Sequence, residues 1–324
     1  MKTAYTCITA ILLLMMTGLT GCGGSGENGT ADRDAGRLTL AAAAEWTERS
    51  DGLRGFQRHY EFEFPDVAVV DLGLAYQAVG TGLAEVGVGD ATDGRIARYD
   101  LVVLEDDRQF FPAYNPAPLI RREVLETHPE LAGTLEKLSS RLDLDTLIRL
   151  NKTVSIDEVM PQRAARQYLL ENNLISGNPP QPDKAVDNPV VIGGKTFTEA
   201  LILGYLTRYL LEDEGYAVID EIGLGEVAVI TPALFSGRID LYWEYTGTGL
   251  MNVMGHDEVV SDPRQCWELV RDWYDEHHDV VWLDYAPANN TFVLFTTRDL
   301  HEKHGWSRIS DLGEHVKQAL SSAQ

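Results

Sequence analysis

Residues 193–206 read GGKTFTEALILGYL, and the assignment of the fold turns on them. The apolar run Val190–Ile192 just before them reads as a buried strand. Thr196, with Glu199 three residues later, reads as a capping box for a helix that ends near Glu214, with Gly215 as its stop. Strand, tight turn and capped helix form the unit that opens an α/β domain. It stands beyond the midpoint of a 324-residue chain.

Downstream the alternation continues. YAVIDEIG (216–223) reads as strand, AVITPALFSG (228–237) as helix, IDLYWEYTG (239–247) as strand, PRQCWELVRDWYDEHH (263–278) as helix and VVWLDY (280–285) as strand. Upstream, LTLAAA (38–43), VAVVDLG (67–73) and YDLVVLEDD (99–107) read as strands, and LAYQAVGTG (74–82) as a helix closed by glycine. The stretches 118–142, 143–154 and 160–174 read as helical. Between the two series lies SGNPPQPDKAVDNP (176–189), where Pro179, Pro180, Pro182 and Pro189 exclude a helix or central strand and mark a linker. Alternating strands and helices predict mostly parallel sheets covered on both faces, with ligands at the carboxyl ends of the strands. Those ends are Lys195 to Thr198, Glu244 to Thr248 and Asp284 to Thr291.

The amino-terminal residues have another character. Lys2, the short apolar run ITAILLLMM (8–16) and LTGC (19–22) read as an export signal, too short and too glycine-broken to span a membrane. LTGC resembles the lipobox of bacterial lipoproteins, which implies cleavage before Cys22 and lipidation of its sulfur. Residues 23–36, GGSGENGTADRDAG, read as a flexible tether. That leaves Cys266 as a lone thiol in the exported part, unable to form an internal disulfide and expected as a small buried residue.

With 27 Lys+Arg against 50 Asp+Glu, the chain carries a formal charge of -23. Such a surface repels phosphate backbones, so no nucleic acid is expected. GGKT lacks the first glycine of a phosphate loop, since Pro189 occupies that place. GLGEVA (223–228) matches only the loose dinucleotide fingerprint, and HEKH (301–304) has Gly305 where a zinc protease needs its second histidine. No catalytic constellation, cofactor or metal site is expected.

Aromatic and charged groups at the strand ends point instead to binding. Tyr245 and Glu244 precede a Thr-Gly-Thr-Gly turn, Trp46 and Arg49 lie in EWTERSDG (45–52), Tyr114 in FFPAYNPAP (110–118) and Tyr285 in LDYAPANNT (283–291). Tyr242 and Trp243 are assigned to core. Aromatic faces attract a desolvated ammonium at roughly 1 to 2 kcal/mol per contact, and arginine or lysine suits a carboxylate at the opposite end.

Taken together, GKTFTEALILGYL (194–206), ALFSGRIDLYWEYTGTG (233–249), residues 283–305, ISDL (309–312), LTLAAAAEWTERSDGLRGF (38–56), residues 92–131 and residues 150–175 resemble the substrate-binding proteins of ABC importers for glycine betaine, choline, carnitine and related compatible solutes. The resemblance implies an α/β, two-lobed, type II periplasmic-binding-protein clamshell that traps solute by hinge closure. The order is not the family's usual one: residues 38–175 resemble its second part and 190–318 its first. This is the pattern of a circular permutation, with the linker joining the old ends. The implied lobes are 37–118 with 289–324, and 119–288. The rival arrangement is two half-proteins that exchange between chains as a dimer; the complementary halves favour a monomer.

By resemblance the solute contacts fall on Lys195, Tyr245, Thr248, Asp284, Tyr285, Arg49 and Tyr114, with Arg49 and Lys195 suited to a carboxylate and the three tyrosines to a cationic head. Two departures bear on the ligand. Asp90-Ala91 stands where the family often has an aromatic residue before T-D-G-R, and Ala200 where it often has glutamine. Asp90 could replace a missing cage wall by charge or bind a hydroxyl or amine, and Trp46 could supply a ring. The expected protein is an extracytoplasmic, lipid-anchored receptor for a quaternary ammonium or zwitterionic solute, partnered with an importer permease. A sensor without transport is the alternative, and an exported enzyme has no residues to support it.

Overall fold

Ten strands build two five-stranded sheets. The structure is a computed structural model that describes residues 38–49 and 51–322; the export signal, Cys22 and the tether lie outside the described residues. The first sheet holds β1 (Thr39–Ala43), β2 (Asp66–Val70), β3 (Val86–Asp90) and β4 (Leu101–Val103), the second β5 (Pro116–Arg121), β6 (Val190–Gly193), β7 (Val218–Glu221), β8 (Leu241–Tyr245) and β9 (Val280–Trp282), and β10 (Phe292–Thr297) returns to the first. Their orders are β2-β1-β3-β10-β4 and β7-β6-β8-β5-β9. In each, three parallel strands are joined by one antiparallel strand at the fourth place, β10 between β3 and β4 and β5 between β8 and β9. The fold is α/β with two mixed sheets flanked by helices, as expected apart from these two reversed strands.

Three strands depart from the sequence reading. Residues 118–121 were expected to be helical and are strand; the helices follow at Arg122–Thr127 and Glu130–Ser139. Pro116 and Pro118 read against a strand, since a proline breaks a ladder where a neighbour needs its N–H. Here their carbonyls face the irregular segment after β9 and accept the N–H groups of Ala286 at 2.8 Å and Leu283 at 3.0 Å, so that edge is met by donors from outside the ladder. Strand β3 has a weak sequence signal because Gly87 and Gly89 interrupt its pattern. A side chain on either would collide with Phe295 or Tyr76, whose rings stack at 4.7 Å over this strand. Strand β10 is the third: its apolar run FVLFTT follows a turn-rich stretch that masks its start.

The chain passes from the first sheet to the second through residues 104–115 and back through 283–291. The two crossings are tied to each other. Tyr114 N–H donates to Asn289 Oδ1 at 2.8 Å, Asn290 N–H to the Tyr114 carbonyl at 3.0 Å, and the Asn115 amide to the carbonyls of Ala286 and Ala288 at 3.0 and 2.8 Å. Thr246 at the end of β8 closes the set, its hydroxyl accepting Asn115 N–H and donating to the Ala113 carbonyl. Residues 176–189 form no helix or named strand, and Asp183 and Lys184 donate N–H to the Gly215 carbonyl. Cys266 is buried and free, its thiol pushed up to about 11 by burial.

Asn115 is 1% exposed, so Asn115→Ala leaves two interior carbonyls without a donor. The expected loss is about 2–3 kcal/mol, read as a lower urea midpoint at unchanged slope; a loss within error of zero would mean that the crossings do not depend on it.

Candidate functional site

The carboxyl ends of five parallel strands, β1, β2 and β3 from one sheet and β6 and β8 from the other, open onto a common cavity of about 500 Å³. Trp46 and Arg49 reach it from the turn of helix after β1, Asp90 and Thr92 from the end of β3, Lys195 to Glu199 from the turn after β6, and Tyr245 and Thr248 from the end of β8. Tyr114 and Asn290 enter from the two crossings and Asn151 from the helix Leu144–Ser155. Of the expected solute contacts, Arg49, Trp46, Asp90, Tyr114, Lys195, Tyr245 and Thr248 are brought together. Asp284 and Tyr285 are not: Asp284 is exposed beside Glu136, and Tyr285 packs on Trp267 at 5.9 Å. The segment holding them is drawn along β5 by the Leu283 and Ala286 hydrogen bonds, and the chain reaches the cavity only at Asn290 and Phe292.

Both cations expected to hold a ligand carboxylate already hold carboxylates of the protein. Arg49 grips Asp51 through Nε at 2.8 Å and Nη2 at 2.7 Å, reaches Thr248 Oγ1 at 3.3 Å, and lies 3.5 Å from Glu45. Asp51 also accepts from the Tyr114 hydroxyl and from Asn252 at 3.0 Å. Burial alone would raise the Asp51 carboxyl, but these donors outweigh it and hold it below the usual range. Burial opposes the Arg49 charge, and the Asp51 contacts more than offset it, so the guanidinium is held firmly protonated. Lys195 Nζ lies 2.5 Å from Glu244 Oε1, both side chains being buried.

The residue that sequence reasoning misassigned is Glu199. The helix begins at Thr198 with Phe197 as its cap and no side-chain capping bond, and Thr196 instead bonds Glu226. Glu199 points into the protein, where its carboxylate receives four hydrogen bonds: from Thr92 Oγ1 and Asn151 Nδ2, both at 2.6 Å, from Tyr245 OH at 2.9 Å and from Asn290 Nδ2 at 3.0 Å. Burial pushes it upward and these bonds pull against that shift. The signal was present, because Glu199 shares a helix face with Ile202, Leu203 and Leu206, and a carboxylate on an apolar face is a buried one.

Asp90 has a different environment. Among the described residues its carboxylate makes no hydrogen bond or ion pair; Arg95, which lines the same cavity, is held by Asp93 at 2.7 Å. Burial, then the charges of Glu199 and Asp93, drive Asp90 well above the carboxylate range, against the pull of Arg49. Asp90 itself is half-buried, whereas Trp46 Nε1 and Asn151 Oδ1 are fully buried without a partner. Five rings line the cavity: Trp46, Tyr114, Phe197, Tyr245 and Phe292. Among the described residues no group of histidine, cysteine or acidic side chains is placed to hold a metal ion, and no helix is long and apolar enough to cross a membrane.

The cavity lies between the two sheets, is lined by five aromatic rings, and has each of its basic groups already paired with a carboxylate. The chain belongs to the family described as the substrate-binding domain of ABC-type glycine betaine transport systems, whose model matches residues 29–171 and 188–324. It is 35% identical over 141 residues to a carnitine transport binding protein, OpuCC, of Listeria monocytogenes, covering 43% of this chain and 46% of that one. It is 38% identical over 138 residues to a glycine-betaine-binding protein of Pseudomonas aeruginosa, covering 42% and 44%. Each alignment thus spans less than half of the curated relative. The crystal structure of a glycine betaine/carnitine/choline ABC transporter is 34% identical over 43% of this chain and 52% of its own, with a TM-score of 0.34.

Asp90 makes its own pH prediction. Its folded-state pKa lies above the ordinary value near 3.8, so as pH rises past that value the unfolded chain ionises first and stability falls. Asp90→Asn removes that slope. The variant is expected to be more stable than the parent at pH 7 and closer to it at pH 4, by urea unfolding at the two values; an equal difference at both would refute the assignment.

Proposed function

We propose that this protein is an extracytoplasmic solute receptor, lipid-anchored through Cys22, that captures a quaternary ammonium or zwitterionic compatible solute of the glycine betaine, choline and carnitine class and delivers it to an ABC importer permease. The observation that carries this reading is the aromatic, acid-rich cavity in a chain of this family. Carboxylates outnumber cations around it: Glu45, Asp71, Asp90, Asp93, Glu199 and Glu226 face Arg49, Arg95 and Lys195. Tyr245 presents its ring to the cavity while its hydroxyl is fixed on Glu199, so an ammonium on that ring also lies near a carboxylate. Carrier function requires no turnover, in keeping with the family.

Titration calorimetry of residues 23–324 with glycine betaine, choline, carnitine and dimethylglycine is expected to show one-site binding, and Tyr245→Ala to weaken it at least about ten-fold, the worth of one ring contact and its hydrogen bond. Failure of every member to bind would overturn the reading. In a producing cell, Cys22→Ser is expected to move the protein from the membrane fraction to the soluble one, and a membrane-bound variant would refute the anchor.

The halves are proposed to stand in circularly permuted order, as lobes 37–118 with 289–324 and 119–288 in one monomer. In support, the family model matches two stretches separated by residues 172–187, within and beside the proline-rich linker. Both halves line the same cavity: Arg49 and Asp90 come from the first, Lys195 and Tyr245 from the second. The last helix returns to the beginning of the described chain, Gly313 packing on Phe62. A reordered chain, 188–322 followed by 38–175, is expected to fold as a monomer and to bind the same solute within about three-fold, an energy difference below 1 kcal/mol. An unfolded product would refute permutation.

A further inference from the structure

Asp90 is a half-buried carboxylate of the cavity that forms no hydrogen bond or ion pair through its side chain among the described residues. Each cation that could reach it is engaged elsewhere: Arg49 by Asp51, Arg95 by Asp93, Lys195 by Glu244. Its charged neighbours are mostly acids, Glu199 and Asp93 first and Glu45 after Arg49. Among the described residues no protein donor bonds the Asp90 carboxylate.

The rings are less available than their number implies. The Arg49 guanidinium lies over Phe292 at 5.1 Å and over Tyr114 at 6.0 Å, and Lys195 Nζ lies over Tyr245 at 5.3 Å. Three of the five cavity rings already face a cation of the protein. A fully methylated ammonium has no hydrogen to donate. Seated here it would compete with those cations for the ring faces and cover the half-buried Asp90 carboxylate without giving it a hydrogen bond, a cost of about 1–3 kcal/mol. A nitrogen that carries hydrogen would satisfy it.

Resting on the proposed solute-binding role of this cavity, we propose that Asp90 determines specificity: it accepts a hydrogen bond from the cationic nitrogen of the solute, so that the preferred ligand is a protonated amine zwitterion and not a fully quaternised betaine. Glu199 adds negative charge nearby without a free lone pair, since its four hydrogen bonds are committed.

Glycine betaine and dimethylglycine isolate this choice, because they differ by one methyl in place of one N–H. Calorimetry on the parent protein, Asp90→Asn and Asp90→Ala is expected to give dimethylglycine binding about ten- to a hundred-fold tighter than glycine betaine in the parent, the worth of one hydrogen bond to a charged acceptor. Both variants are expected to lose that preference while still binding glycine betaine. Glycine betaine binding as tightly as dimethylglycine to the parent would overturn this inference and leave the receptor role standing. An unchanged ratio in both variants, or equal loss of both ligands, would overturn it as well, by making Asp90 a structural group. Binding of no solute at all would remove the receptor role itself, and this inference with it.

Discussion

The buried carboxylate of Glu199 is the constraint around which the cavity is arranged. Removing a charge from water costs several kcal/mol, and each hydrogen bond to a charged acceptor returns about 1.5–3 kcal/mol. Four such bonds are of the size needed to offset that cost, and their donors come from four separate places: the turn after β3, the helix Leu144–Ser155, the end of β8 and the second crossing. Satisfying one anion thus fixes the relative position of both sheets where they meet the cavity. A charge placed on the apolar face of a helix is unstable unless the fold closes around it, which makes Glu199 a specifier of the assembled structure more than a source of stability.

The same logic governs the rest of the site. Arg49 and Lys195 are buried and would be costly unpaired, so each carries its own carboxylate, Asp51 and Glu244. A cation already balanced in this way has less to offer a ligand anion, and the balance of the cavity tips toward recognising positive charge. Asp90 stands outside these pairs. Half-buried and without a partner among the described residues, it carries the kind of local cost that binding sites retain because a ligand relieves it.

Much of the architecture was legible. The helix Pro263–His278 has the bounds expected from its sequence. The parallel strands β1, β2, β6, β7 and β8 follow from short apolar runs bounded by turns, and seven of the expected solute contacts share one cavity. The misses have local causes. Gly87 and Gly89 lower the strand signal of β3 because a neighbouring ring pair, not a residue of β3 itself, fills the space above them. Pro116 and Pro118 read as strand breakers because the segment that meets their edge lies more than 160 residues away. Asp284 and Tyr285 were carried over by position along the chain, and the path of that segment against β5 takes them out of the cavity.

The sequence by itself determined the local elements, the acidic charge, the aromatic supply at the strand ends, the linker at 176–189 and the family. These depend on neighbouring residues and on composition, which a linear chain displays directly. Tertiary structure alone decided which charged groups are met: Glu244 by Lys195 across 49 positions, Asp51 by the Tyr114 hydroxyl across 63, and Asp90 by none among the described residues. Electrostatic pairing depends on distance through space and on exclusion of water, and neither exists until the two sheets close around the cavity.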